Sequence, residues 1–203
     1  GNKPYLLIAD SLAVKEGETA SPTIQPDHRE IGRRLGEQLK TKKQKIGIIA
    51  DWKMSEAVQA EISGLTEALE GSGSEISWCI YRRKEQNITE RMKEETKADA
   101  LVILDPGVLE EFGEQAEHGK YKGAELYGVG YSLKTVALLD KGNIQGLVVP
   151  DGYEIGYKSV KEIAGKIEHK FYKMQGYTTE YQIFSKKDFF MDDDLERFLY
   201  SYE

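Results

Sequence analysis

The feature of this sequence that most constrains its fold is the repeated alternation of short apolar runs with amphipathic stretches. The runs are "PYLLIAD" (4–10), "KIGIIAD" (45–51), "EISWCIYRR" (75–83), "ADALVILD" (98–105), "AELYGVGYS" (124–132) and "IQGLVVPD" (144–151). Runs that are apolar nearly throughout are typical of strands buried on both faces, and the stretches between them are typical of covering helices. The sequence therefore predicts an α/β fold, a doubly wound parallel sheet with helices on both faces.

Local signals predict where several helices begin. Asp27 precedes "HREIGRRLGEQL" and Ser55 precedes "EAVQAEISGLTEAL", and both residue types are favoured as N-caps. Residues 11–25 contain Gly17, Ser21 and Pro22 and are predicted to be a loop. Further helices are predicted over 87–97, 108–119 and 133–142, and from 152 onward.

Composition narrows the function classes. The net charge of −7 is spread along the 203 residues, which disfavours a nucleic-acid partner because phosphate binding needs a basic face. No apolar run approaches the roughly 20 residues of a membrane helix. The single cysteine, Cys79, lies in an apolar stretch and is predicted to be a buried small hydrophobe, with no internal disulfide.

Common cofactor and metal motifs are missing from the sequence. "GVG" at 128–130 lacks the third glycine of a dinucleotide fingerprint, and no phosphate-binding loop is present. His28, His118 and His169 are far apart in predicted helices and are expected to be solvated. "MDDD" at 191–194 is interpreted as a helix cap rather than a cation site. No cofactor and no metal are expected.

The ligand site of a doubly wound sheet lies beyond the carboxyl ends of its strands. The polar or aromatic residues that follow the predicted strands are Asp10, Asp51, Trp52, Asp105, Tyr131, Ser132 and Asp151. From these we predict the ligand-binding residues Asp51, Trp52, Asp105, Ser132 and Asp151, and no catalytic residue.

Several patterns together resemble a known family. The succession "IQPDHREIGRRLGEQL", "ADALVILDPGVLEEFGE" and "LYGVGYSLKTVALLDKGNIQGLVVPDGYEIGYKSVKEI" resembles the C-terminal half of type I periplasmic binding proteins. These are the sugar-binding proteins of ABC transporters, and the effector-binding cores of lac-repressor-type regulators are similar. The resemblance covers about residues 4–171.

The resemblance implies a domain organisation. Residues 1–10 would be a remnant strand of an N-terminal lobe, and residues 11–150 the C-terminal ligand-binding lobe. Residues 151–176 would hold the hinge and a helix of the N-terminal lobe, with the crossing at 148–151. Residues 177–203 would be the closing segment that crosses back. Most of the N-terminal lobe would then be lacking from this sequence.

The resemblance also gives roles to single positions. Asp105 falls where the family has Asn or Asp at a strand end, and a carboxylate there accepts hydrogen bonds from sugar hydroxyls. Three positions differ from the family's usual residues: Ser132 stands for Asp, Pro150 for Gln and Glu61 for Arg. Trp52 would stack on the apolar face of a pyranose while Asp51 takes its hydroxyls.

The function implied is binding of a solute, a carbohydrate or similar polar metabolite, without catalysis. The chain would be the extracytoplasmic substrate-binding component of an ABC uptake or sensing system, in the periplasm or as a cell-surface lipoprotein, with the permease as a partner of the intact protein. The alternative is a cytoplasmic effector-binding core of a lac-repressor-type regulator or a sensor kinase. An enzyme is a third class, because fold alone does not exclude chemistry.

The elements assigned to the N-terminal lobe would lack the rest of their core. The apolar residues concerned are Leu6, Leu7 and Ile8 on the strand and Ile155, Val160, Ile163 and Ile167 on the helix. An apolar patch of this size and an open strand edge are unusual in a monomer. We predict that strand and helix fold onto each other or that a second copy buries them in a symmetric homodimer.

Overall fold

The computed structural model describes residues 3–10, 21–51, 55–82, 87–121 and 123–185. Its strands are β1 (Leu7–Ile8), β2 (Thr23–Pro26), β3 (Lys45–Ala50), β4 (Glu75–Tyr81), β5 (Ala100–Ile103), β6 (Glu125–Val129), β7 (Gly146–Pro150), β8 (Tyr177–Thr179) and β9 (Tyr181–Ser185). Its helices are α1 (His28–Leu39), α2 (Glu56–Leu69), α3 (Ile88–Met92), α4 (Pro106–Glu117), α5 (Leu133–Asp140) and α6 (Gly152–Glu168).

The larger of the two sheets has the strand order β4-β3-β5-β6-β7-β9. All neighbours are parallel except β7 and β9, which are antiparallel. Successive side chains of a strand point to opposite faces, so Ile48 packs in the cluster with α1 and α2 while Ile49 packs in the cluster with α4 and α5. The predicted doubly wound parallel sheet is therefore confirmed, with one antiparallel edge strand.

The smaller sheet has the order β1-β2-β8, and its strands are parallel. Helix α6 covers one face of it, where Ile24 is fully buried. The ammonium group of Lys158 lies 4.9 Å from the centre of the Tyr177 ring. Strands β1, β2 and β8 and the helix after β7 thus fold together as a second unit.

Three connections join the two units, and each is only one residue long. Asp27 links β2 to α1, Asp151 links β7 to α6, and Glu180 links β8 to β9. The backbone N–H of Asp151 donates to the carbonyl of Glu180 over 2.9 Å, so two of the crossings are hydrogen bonded to each other. The abrupt break at Pro150 and Gly152 in the sequence is a passage from one sheet to the other.

Three secondary-structure predictions need correction. The buried strand predicted over 4–10 is only Leu7–Ile8, and Ile8 is 54% exposed because β1 has a single neighbour in the sheet. The loop predicted over 11–25 contains most of β2, which follows Pro22 and ends at Pro26, and proline is more typical of loops. The helix predicted over 87–97 is shorter, and none of its described residues is buried. Residues 11–20 and 191–194 lie outside the described ranges.

Candidate functional site

The predicted site residues lie along one edge of the larger sheet. Asp51 follows β3, Asp105 follows β5, Ser132 follows β6 and Asp151 follows β7. Because these strands are parallel neighbours, their carboxyl ends form a continuous edge. Trp52 lies outside the described residues, so its predicted role stays a prediction.

Asp105 is held rigidly at this edge. It is the N-cap of α4, and its Oδ1 accepts hydrogen bonds from the backbone N–H groups of Gly107 (3.0 Å) and Val108 (3.1 Å). Pro106 at the first helical position has no N–H to leave unsatisfied. The side chain of Asp105 is only 6% exposed. One carboxylate oxygen is therefore fixed by the helix, and the other is oriented by it.

The other oxygen of Asp105 faces Arg82, which follows β4. Arg82 Nε lies 2.9 Å from Asp105 Oδ2 and 3.3 Å from Asp51 Oδ1. The short contact to Asp105 is an ion pair, but the N–H of Arg82 is poorly aligned for a hydrogen bond. Oδ2 of Asp105 is buried and accepts no hydrogen bond from the described residues. Asp51 and Arg82 are half-exposed, so their own pair contributes about 0–1 kcal/mol.

Ser132 is hydrogen bonded to residues of α4 and α5. Its hydroxyl donates to Oε2 of Glu110 over 2.7 Å and accepts from the N–H of Thr135, which caps α5. The hydrogen bond from Ser132 and the ion pair with Lys134 hold the pKa of Glu110 below its usual value. Ser132 therefore stabilises the packing of α4 against α5 in this structure.

Asp151 lies further along the edge. It caps α6, where its Oδ1 accepts from the N–H of Glu154 over 2.8 Å. Of the predicted residues, the structure brings Asp51 and Asp105 together through Arg82. Ser132 and Asp151 share the edge without joining that cluster.

Arg82 was not among the predicted site residues. The rule that selected Asp51 and Asp105 would have found it, because Arg82 directly follows a strand in the run "WCIYRR". Its position at the outer strand β4 gives the edge a cation beside two carboxylates.

A second polar cluster lies where β1 and β2 meet α1 and α2. His28, predicted to be solvated, is 8% exposed, so that prediction is wrong. Its Nδ1 lies 2.7 Å from Oε1 of the buried Glu61, and its Nε2 lies 2.7 Å from the carbonyl of Ala9. Both partners are acceptors when Glu61 is ionised, so both ring nitrogens then carry protons. His118 and His169 are exposed, as expected for solvated residues.

The close approach of α1 and α2 creates this pair. A Cβ on Gly32 would lie 1.8 Å from the carbonyl oxygen of Glu61, and a Cβ on Gly64 would lie 1.9 Å from that of Arg29. Only glycine allows the two backbones to approach so closely. His28 lies one turn before Gly32 in α1, so its ring reaches Glu61 across the helix contact.

Asp10 ties the end of β1 to the start of α2. Its Oδ2 accepts from the hydroxyl of Ser55 over 2.7 Å, and its Oδ1 accepts from the N–H of Ala57 over 2.9 Å. Asp10 is one of the residues that follow a predicted strand, but its strand belongs to the smaller sheet. It therefore connects the two units rather than lining the edge of the larger sheet.

The charge state of the buried pair follows from its surroundings. Burial by itself lowers the pKa of His28, but the hydrogen bond and charge of Glu61 outweigh burial and raise that pKa, with smaller contributions from Ala9 and Asp10. Burial raises the pKa of Glu61 above its usual value. Both shifts favour retention of the proton that His28 and Glu61 share.

No three His, Cys, Asp or Glu side chains among the described residues are grouped so that they could hold a metal ion. None of the helices in the described ranges is both long enough and apolar enough to pass through a bilayer.

Comparison with family models and with curated protein sequences found no match. Solved structures do match. A glucose-galactose binding protein from Geobacillus stearothermophilus superposes with a TM-score of 0.72 at 20% identity, over 91% of this chain and 68% of that one. The Caulobacter myo-inositol binding protein, bound to myo-inositol, gives 0.75 at 16% identity over 94% and 68%. A putative LacI transcriptional regulator from Bacteroides fragilis gives 0.71 at 14% identity over 93% and 69%.

The structural neighbours therefore include type I periplasmic sugar-binding proteins and a LacI-like regulator, as the sequence resemblance indicated. At these identities the likeness establishes the fold. The chain spans a little over two thirds of the length of each of these neighbours.

Proposed function

We propose that this chain binds a carbohydrate or a similar polar metabolite at the carboxyl edge of its larger sheet, without catalysing a reaction. The observation that carries the proposal is Oδ2 of Asp105, a buried carboxylate oxygen beside a cation, with no aligned hydrogen bond from the described residues. The names of two structural neighbours, a glucose-galactose binding protein and a myo-inositol binding protein, support the same ligand class.

The chemistry of the cluster suits a polyol. Asp105 is an acceptor-only group, and a sugar hydroxyl would supply the aligned donor that Oδ2 lacks. Arg82 is half-exposed and its guanidinium has five donors, so it would turn toward hydroxyl or ring oxygens while still neutralising Asp105. Asp51 would accept from a second hydroxyl.

The remaining predicted positions keep their roles within the proposal. Trp52 follows Asp51 directly in the sequence and would stack on the apolar face of the ring. Ser132 and Asp151 lie along the same edge and would bound the site on the side of β6 and β7.

In this proposal residues 11–150 are mainly the ligand-binding lobe, and residues 1–10 and 151–176 belong to the opposing lobe. The pairing of β2 with β1 and β8 supports assigning Thr23–Pro26 to the opposing lobe as well. The closing segment 177–203 would begin in the opposing lobe with β8 and cross at Glu180 to β9 in the binding lobe. Ligand binding would draw the lobes together at the three single-residue crossings.

The biological role proposed is the extracytoplasmic substrate-binding component of an ABC uptake or sensing system, with the permease as partner. The likeness to a putative LacI regulator supports the second candidate, an effector-binding core of a transcription regulator or sensor kinase in the cytoplasm. A DNA-binding or signalling domain encoded in the same reading frame would decide for the second candidate.

Titration calorimetry with D-glucose, D-galactose and myo-inositol tests the proposal directly. Asp105→Asn removes the charge of the acceptor, and Arg82→Met removes the neighbouring cation. Each is expected to weaken binding about tenfold or more, since hydrogen bonds to charged groups contribute roughly 1.5–3 kcal/mol. The matched control is Lys42→Met, which removes an ion pair with Glu125 at the opposite edge of the sheet and should leave affinity unchanged.

Two outcomes would contradict the proposal. If Asp105→Asn and Arg82→Met both bound the ligand with the affinity of the parent protein, Asp105 and Arg82 would not be part of the binding site. Turnover of a metabolite that requires Asp51 or Asp105 would place the protein among enzymes.

A further inference from the structure

Helix α6 has one buried face and one apolar face that is not covered by any of the described residues. Its inner face carries the buried residues Ile155, Ser159 and Glu162. The carboxylate of Glu162 is fully buried and accepts from the hydroxyls of Tyr172 and Tyr177, each over 2.9 Å. These hydrogen bonds fix which side of the helix faces the smaller sheet.

The opposite side, here called the α6 outer face, consists of Tyr153, Tyr157, Val160, Ile167 and, just beyond the helix end, Phe171. A residue two positions from an inner-face residue is turned by about 200° around the helix, so this set points away from the sheet. The spacing of three, four and seven residues along the helix is that of a continuous stripe. These residues are exposed by 71%, 58%, 70%, 70% and 91% respectively.

The area of the α6 outer face is large for a free surface. Aromatic side chains bury roughly 150–250 Å² each, so the five residues together expose on the order of 600 Å². That is at the upper end of what a monomer shows, about 300–600 Å². Two such faces in contact would bury roughly 1,200 Å², the lower bound for a stable protein interface.

A continuation of the smaller sheet would not cover this face. Among the described strands the free edges of the sheet are at β1 and β8, and a strand added at either edge lies in the plane of the sheet, whereas the outer face points away on the far side of α6. What adjoins the stripe is a cleft of about 660 Å³ between Ile167 and the chain before β1, lined also by Tyr5 and Met174.

We propose that the α6 outer face binds the same face of a second copy of this chain. The surface carries both a protruding ring, Phe171, and a concave cleft, which is the self-complementarity that a two-fold contact needs. Lys166 donates to the carbonyls of Lys170 and Tyr172 and so holds Phe171 at the end of the helix.

Sedimentation velocity of the full chain over a wide concentration range is the test. The parent protein is expected to be a dimer. Val160→Asp places a charge in the middle of the outer face and should raise the dimer Kd about 30-fold or more, the loss typical of a central interface residue. The matched control is Leu133→Asp, which charges an exposed leucine on α5, away from the face, and should remain dimeric.

Folding is checked by circular dichroism for each variant, and Tyr157→Ser serves as a second variant if Val160→Asp does not fold. A monomeric parent at the highest soluble concentration would overturn the proposal. So would a dimer that persists in both Val160→Asp and Tyr157→Ser. A monomer that co-sediments with phosphatidylglycerol–phosphatidylcholine vesicles would also overturn it, because the face would then bind a membrane surface.

Discussion

The pair of His28 and Glu61 should make the stability of this protein fall as the pH rises above neutrality. The folded-state pKa of His28 is raised over its unfolded value of about 6.5, and that of Glu61 is raised too. The folded state thus binds more protons than the unfolded state. A raised pKa contributes stability that is complete below the unfolded pKa and is lost as the pH passes the folded pKa.

Glu61→Gln is the perturbation that isolates this effect. Glutamine has nearly the same shape but no charge, so the buried bond to His28 loses its ionic character. Hydrogen bonds to charged groups contribute roughly 1.5–3 kcal/mol, so a loss of about 2 kcal/mol is expected near pH 6. For a chain of 203 residues this corresponds to a fall in Tm of about 4–8 °C.

The pH dependence should change as well as the stability. Without the charge of Glu61, burial is the largest influence on His28, and burial lowers the pKa of that imidazole. The decline in stability that the parent shows as the pH rises above the unfolded pKa of His28, about 6.5, should therefore flatten or reverse in the variant.

Urea denaturation followed by circular dichroism measures both quantities at a series of pH values. The matched control is His118→Gln at the exposed end of α4, which should change the free energy of unfolding by less than about 0.5 kcal/mol. If the free energy of unfolding of Glu61→Gln fell with pH as steeply as that of the parent, His28 and Glu61 would not share the proton as argued.

Two further predictions concern how α2 is positioned. Gly32→Ala should destabilise the protein by about 1–3 kcal/mol or more, because the new Cβ would lie 1.8 Å from the carbonyl oxygen of Glu61. The control Gly156→Ala has open space around the new Cβ and should stabilise the protein by up to about 1 kcal/mol. Thermal unfolding of both variants measures these effects, and equal effects would refute the close contact. Ser55→Ala removes the acceptor of the Val58 N–H at the start of α2 and should cost about 1–2 kcal/mol in urea unfolding. Ser55→Thr keeps the hydroxyl that accepts from Val58 and donates to Asp10, so it should retain most of the stability. An unchanged free energy of unfolding in Ser55→Ala would refute the cap.

The larger sheet could be predicted from the sequence because its determinants are local. Each of β3, β5 and β7 is apolar nearly throughout, and the N-caps Asp27 and Ser55 mark helix starts by their own chemistry. Asp51 and Asp105 could be predicted for the same reason, because both come soon after a strand and the carboxyl ends of parallel strands meet at one edge.

The smaller sheet depended on pairings that no local pattern records. Strand β2 follows Pro22 and ends at Pro26, and it is a strand only because it pairs with β1 and with β8, which is distant in sequence. The apolar sequence of β1 predicted a buried strand, but its burial depends on the number of neighbouring strands in the sheet. Strand β1 pairs only with β2 among the described strands, so Ile8 is exposed.

The tertiary structure alone decided which polar side chains meet. His28 and Glu61 are 33 residues apart and are brought together by the glycine contact of two helices, while Arg82 reaches Asp105 because β4 and β5 both flank β3. Local sequence determined most strands and helices of the larger sheet, since apolar spacing and caps act within a few residues. Contacts between charged groups depend on the distances between those elements after packing, and packing is a property of the whole chain.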